Sequence, residues 1–134
     1  PGQLTGTVNW QGEPEMPSIL LVDDDAAARD MLKHGLSNDG HVVTVAGDGQ
    51  EVLDGGLAAN IDIVVSDISM PGVDGITLAE TLLAKQPNLP IVLMSAIADE
   101  LKRAQSVGGG NVRVIGKPVT LEQLKSEISA LLSG

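Results

Sequence analysis

The 134-residue sequence predicts an α/β architecture, a parallel sheet covered by helices on both faces. Three observations carry this. Short aliphatic runs alternate five times with segments of helical periodicity. The connections between them are brief, as in successive strand–helix–strand units with right-handed crossovers. The strand-like runs are also apolar at consecutive positions, which marks strands buried on both faces.

Residues 1–17 (PGQLTGTVNWQGEPEMP) are rich in Gly and Pro and lack sustained periodicity. They read as an N-terminal tail or linker, with Thr5 to Trp10 the one short strand candidate. The domain proper is expected over 18–134. Ile19–Val22 forms the first strand and runs directly into Asp23-Asp24-Asp25. A helix follows over Ala26–Ser37, with Met31, Leu32 and Leu36 on its inner face and Asp39-Gly40 closing it. Val42–Ala46 is the second strand, and Gly47-Asp48-Gly49 turns into a short helix reaching Ala58, with Val52, Leu53 and Leu57 inward. The third strand, Ile61–Ser66, ends at Asp67 and is followed by Pro71-Gly72 and Asp74-Gly75, strong turn signals. Gly75–Lys85 is helical through Ile76, Leu78, Ala79, Leu82 and Leu83. Pro87 and Pro90 then force a loop before the fourth strand, Ile91–Ser95. A weaker helix spans Asp99–Val107 and runs into three glycines, 108–110. Val112–Ile115 is the fifth strand, followed by Gly116-Lys117-Pro118. Thr120 is the expected N-cap of the last helix, whose apolar stripe is Leu121, Leu124, Ile128, Leu131 and Leu132.

Composition narrows the function. A net charge of −10 argues against binding a phosphate backbone. With no cysteine there is neither a disulfide framework nor a thiolate metal site. No apolar run approaches the ~20 residues of a membrane helix, and no signal peptide is visible. A cytoplasmic domain, bound to neither nucleic acid nor membrane, is the expectation.

In a parallel sheet all strand ends of one polarity share an edge, where open α/β sheets bind ligands. Asp23 and Asp24, Asp67, Ser95 and Lys117 all fall on that edge. Taken singly, Asp67 reads as a solvated cap, Ser95 as a turn former and Lys117 as a surface lysine; together they read as a site. Converging carboxylates repel one another and raise each other's pKa values. A hard divalent cation relieves this, and Mg²⁺ suits a few carboxylates plus water. The cation and the Lys117 ammonium would neutralise an incoming phosphoryl group, Ser95 would donate to one of its oxygens, and a carboxylate would serve as nucleophile.

The segments ILLVDDD, VSDISMPGVDG, LMSA and IGKPV, in that order and spacing, resemble the receiver domain of two-component response regulators, over about Ser18 to Leu132. The resemblance implies a flavodoxin-like five-stranded sheet in the order 2-1-3-4-5, which brings the acids of strands 1 and 3 to the topological switch point. It implies a bacterial phosphorelay in which Asp67 accepts a phosphoryl group from a histidine kinase or phosphotransfer protein. It further implies Mg²⁺ held by Asp24, Asp67 and the backbone carbonyl of Ser69, with Asp23 acting through a metal-bound water. Ser95 and Lys117 would hold the phosphoryl group, and the Lys117–Pro118 peptide would be cis. Asp25 is expected to cap the first helix, and His34 and His41 to lie on the surface.

One position departs from the pattern. Three residues before the lysine the family carries Phe or Tyr as a switch aromatic, and here stands Val114, which has no ring to swing. Together with the glycines before strand 5, this points away from the family's usual readout through helix 4, strand 5 and helix 5, and toward a switch that orders the loops after strands 3 and 4 and the start of the fourth helix. Single-domain receivers such as the α-proteobacterial proteolysis adaptors also lack the aromatic. No stretch after Leu132 is left for an output domain, so the chain is expected to act through protein contacts. It reads either as a stand-alone receiver or as the C-terminal receiver of a hybrid histidine kinase. On either reading it is a phosphoacceptor with its own autophosphorylation and dephosphorylation chemistry rather than an enzyme. The rival is an aspartyl phosphatase of the haloacid-dehalogenase type. Those enzymes carry a general-acid aspartate two residues after the nucleophile, where this chain has Ser69.

Overall fold

The computed structural model describes residues 17–107 and 111–133. The strand candidate at Thr5–Trp10 and the glycine run at 108–110 lie outside the described residues. The elements follow in the order β1 (Ser18–Val22), α1 (Ala26–Ser37), β2 (Val42–Ala46), α2 (Gly49–Gly55), β3 (Ile63–Asp67), α3 (Gly75–Lys85), β4 (Ile91–Ser95), α4 (Ala98–Ala104), β5 (Val112–Gly116) and α5 (Leu121–Ser133). The sheet order is β2-β1-β3-β4-β5 and every pairing is parallel. The chain steps outward from β1 to β2, then crosses back to β3 on the other side. This reversal opens the crevice between the ends of β1 and β3.

All five residues of β3 and all five of β4 are buried, because helices cover both faces. Side chains alternate between two apolar layers, as the period of a strand requires. Leu20, Val22, Val64 and Leu93 meet Val52, Leu78, Leu82 and Ala104 on one face. Ile19, Leu21, Val65, Val92 and Met94 meet Leu32, Leu36, Leu124 and Ile128 on the other. Aliphatic side chains build both layers.

The helix starts are chemically specified. The Asp25 carboxylate accepts from the amides of Ala27 and Ala28, as its expected cap role requires. The Asp74 carboxylate accepts from Thr77. Thr120 and Gln123 form a reciprocal capping box, each side chain accepting from the other's amide at 3.0 and 2.9 Å.

Several boundaries differ from the sequence reading. The second helix stops at Gly55 rather than Ala58, because Gly56 turns left-handed at φ 61° and its amide donates back to Val52. β3 begins at Ile63 rather than Ile61, where the Asp62 carboxylate accepts from the Ser18 amide, and it extends through Asp67 itself. α4 covers Ala98–Ala104 rather than 99–107; past Ala104 the amides of Ser106 and Val107 bond three residues back, a tightening that ends the helix. β5 runs on to Gly116. Met31, expected inward, is 65% exposed, while Leu32, Gly35 and Leu36 form the buried face of α1. His34 is exposed as expected, but His41 is half-buried, with Nδ1 enclosed and unpaired.

Candidate functional site

β1 and β3 end side by side, Val22 in register with Ser66, so the residues that follow them face each other across the switch point. Asp23 is 1% exposed and Asp67 4%, whereas Asp24 points to solvent. One carboxylate oxygen from each of the three lies within 4.8 Å of the others. The Asp23 backbone is held on both sides: its amide donates to Ala46 at 3.1 Å, and its carbonyl accepts from Arg29 Nη1 at 2.7 Å. Its carboxylate accepts from the Asp25 amide, which folds the acidic triplet into a tight turn.

Lys117 reaches in from the end of β5, and its Nζ lies 2.6 Å from Asp67 Oδ1. At that distance the ammonium and the enclosed carboxylate oxygen form a charge-assisted pair. Burial above all, and then the neighbouring Asp23, push the Asp67 carboxyl up to about 7, against the opposing pull of Lys117. For Lys117, burial acts to lower the ammonium pKa, but Asp67, with Asp23 and Asp24 beyond it, outweighs burial and the net shift is upward.

Ser95, 3% exposed, ends β4. Its carbonyl accepts from the Lys117 amide at 2.8 Å, which fixes the ends of β4 and β5 to one another. The Lys117–Pro118 peptide is cis, as the motif implied. Ser69 is exposed on the loop between β3 and α3. That loop is drawn tight by Gly75, whose amide donates to the Ile68 carbonyl at 2.9 Å. A Cβ at Gly75 would collide with the Asp67 carbonyl and the Ile68 Cα. Val114 sits in β5 opposite Leu93 and packs against the α3/α4 layer.

The expected residues therefore fall on one edge, with Asp23, Asp24, Asp67 and Lys117 in direct proximity. The donor set, carboxylate oxygens without nitrogen or sulfur, fits a hard divalent cation. Two further residues contribute that the sequence reading did not single out. Arg29 holds the carbonyl of Asp23, one turn into α1. Glu100, in the first turn of α4, accepts from the Ser95 hydroxyl at 2.6 Å. The only trace of Glu100 in the sequence is its place three residues after the N-cap of α4, where a glutamate often reaches back.

The geometry agrees with what the chain is similar to. The profile of the response regulator receiver domain matches residues 19–129. The response regulator MprA of Mycolicibacterium vanbaalenii is 37% identical over 114 residues, covering 85% of this chain and 49% of that protein. MprA of Mycobacterium sp. (strain KMS) is 39% identical over 116 residues, covering 85% and 50%. The chain thus spans about half the length of these curated relatives. Among solved structures, the signal receiver domain of a signal transduction histidine kinase from Syntrophus aciditrophicus superposes with a TM-score of 0.79 at 27% identity, covering 88% of this chain and 91% of that one. The receiver domain of the Francisella response regulator 1452 gives 0.76 at 28% identity, covering 87% and 97%. A flavodoxin-like sheet with its acids at the switch point, matched over nearly all its described length, belongs to the response regulator receiver domains of two-component phosphorelay signalling.

Proposed function

We propose that Asp67 is the phosphoacceptor of this receiver, taking a phosphoryl group from the phosphohistidine of a histidine kinase or phosphotransfer protein in the cytoplasm. The observation that carries this is the pairing of a nearly buried Asp67 with Lys117 at 2.6 Å, beside two further carboxylates at the crevice. A carboxylate oxygen of Asp67 attacks phosphorus, the bond to the imidazole nitrogen breaks, and the departing imidazole keeps the electron pair and takes up a proton. Asp67 must be ionised to attack, and the ammonium of Lys117 favours that form against burial. Lys117 and Ser95 then hold the phosphoryl oxygens by charge-assisted hydrogen bonds.

Asp24, Asp67 and the Ser69 carbonyl would hold Mg²⁺, with Asp23 acting through a bound water. The cation supplies charge neutralisation to the phosphoryl oxygens. Asp23, fixed on both sides by Ala46 and Arg29, keeps the acidic pocket in shape. The output is a change in protein contacts. The domain reads as residues 18–134, with 1–17 a tail or linker.

Labelling with acetyl phosphate and Mg²⁺ tests this reading. The expected product is one base-labile, hydroxylamine-cleavable acyl phosphate on Asp67, lost in Asp67→Asn. Label on Ser66, Ser69 or Ser95 of the intact protein would overturn it.

A further inference from the structure

Ser95 has one hydroxyl proton, and in this structure it is committed elsewhere. Its Oγ accepts from the Ile97 amide at 2.9 Å and lies 2.6 Å from Oε1 of Glu100, to which it donates. Ile97 is the N-cap of α4 and carries no capping side chain, and Glu100 stands three residues further on. In a capping box that glutamate would accept from the N-cap amide directly. Here the serine hydroxyl is inserted between them, relaying the Ile97 N–H to the Glu100 carboxylate. The start of α4 is therefore capped by Ser95, a residue of β4 at the phosphoryl-binding edge.

We propose that Glu100 is a positioning residue that holds the Ser95 hydroxyl toward α4 and competes with the phosphoryl group for its proton. This rests on the reading of Asp67 as phosphoacceptor. Ser95 can donate to a phosphoryl oxygen on Asp67 only by giving up Glu100, since a hydroxyl donates once. Glu100 then loses its partner and the Ile97 amide loses its acceptor geometry, so the first turn of α4 is remade whenever the site is filled. The coupling needs no aromatic ring, which suits a β5 with Val114 at the switch position. The exposed apolar side chain of Ile97, 49% accessible, lies on the segment that is remade.

The test is the affinity of the full chain for beryllofluoride, a phosphoryl mimic, measured with Mg²⁺ present in four proteins: wild type, Glu100→Gln, Ser95→Ala and the double variant. A hydrogen bond to a charged acceptor contributes enough that neutralising Glu100 should tighten the mimic about 3- to 10-fold. In the Ser95→Ala background the same substitution should change nothing. Tightening of equal size in both backgrounds would mean that the Glu100 charge acts through space, and would overturn the proposal. So would unchanged affinity in Glu100→Gln. Amide exchange gives a second readout: the mimic should speed exchange at Ile97, whose amide donates to Ser95 Oγ, and at Leu101, whose amide donates to the Ile97 carbonyl, in wild type more than in Glu100→Gln. Loss of mimic binding in Asp67→Asn checks the underlying reading separately. If Asp67→Asn binds like wild type, the phosphoacceptor assignment fails and not merely the role of Glu100.

Discussion

Replacing Asp67 by Asn should stabilise the metal-free protein at pH 8, although it removes an ion pair. In the folded chain the carboxyl titrates near 7 rather than 3.8, so its ionised form is disfavoured by burial and by Asp23 more than Lys117 favours it. The ceiling for that penalty is about 4 kcal/mol, the shift converted at about 1.4 kcal/mol per unit. Screening at the open side of the crevice, where Asp24 is solvated, reduces this to about 1–3 kcal/mol. Asn keeps the shape and drops the charge, and Lys117, whose side chain is 37% exposed, can turn its ammonium to water rather than remain buried unpaired. The sign follows from the direction of the shift. A raised folded-state pKa gives stability that is fully present below the unfolded value and lost as pH rises through the folded one. The wild type should therefore fall behind Asp67→Asn from about pH 4 upward, with the gap complete just above the folded pKa of about 7. Urea unfolding followed by far-ultraviolet circular dichroism in EDTA measures it, the only aromatic residue being Trp10 of the tail. Thermal midpoints should differ by roughly 3 °C per kcal/mol. Equal midpoints at pH 8, or a gap that is widest at pH 4, would refute the reasoning.

Mg²⁺ at millimolar concentration should raise the thermal midpoint of the wild type by relieving the same repulsion, and Asp24→Ala should abolish that response together with labelling by acetyl phosphate. An Asp24→Ala protein that still labels normally would rule out its place in the metal site. Gly75→Ala should destabilise by about 1–3 kcal/mol and slow labelling, since its Cβ meets the backbone of Asp67 and Ile68, which has little room to give. Normal labelling and an unchanged midpoint in that variant would show that the loop after β3 is slack.

The strands and the acidic edge were legible in the sequence because strands buried on both faces need no phase: an apolar run suffices, and its end marks the sheet edge. Helix faces are less legible because a neighbour decides them. Met31 lies about 100° around α1 from Leu32, at the margin of the stripe, and no element covers it. Helix lengths failed where termination is conformational, as at Gly56, whose left-handed turn stops α2 while Leu57 keeps the apolar pattern going. The acids could be placed on one edge from sequence, but not the contrast between enclosed Asp23 and solvated Asp24, which depends on how the loop folds. Glu100 was out of reach for the same reason, since its partner is a strand-end hydroxyl rather than the usual backbone amide.

The 2.8 Å bond from the Lys117 amide to the Ser95 carbonyl joins main chain to main chain. The spacing of the two residues that face an incoming anion is therefore independent of their side chains. They behave as two separate fingers on one knuckle. Exchanging either finger alters grip and charge while the distance between their roots is kept. A substitution at 117 can accordingly be read as a change in chemistry at fixed main-chain spacing, whereas one at 95 keeps that spacing but also removes the hydroxyl that caps α4.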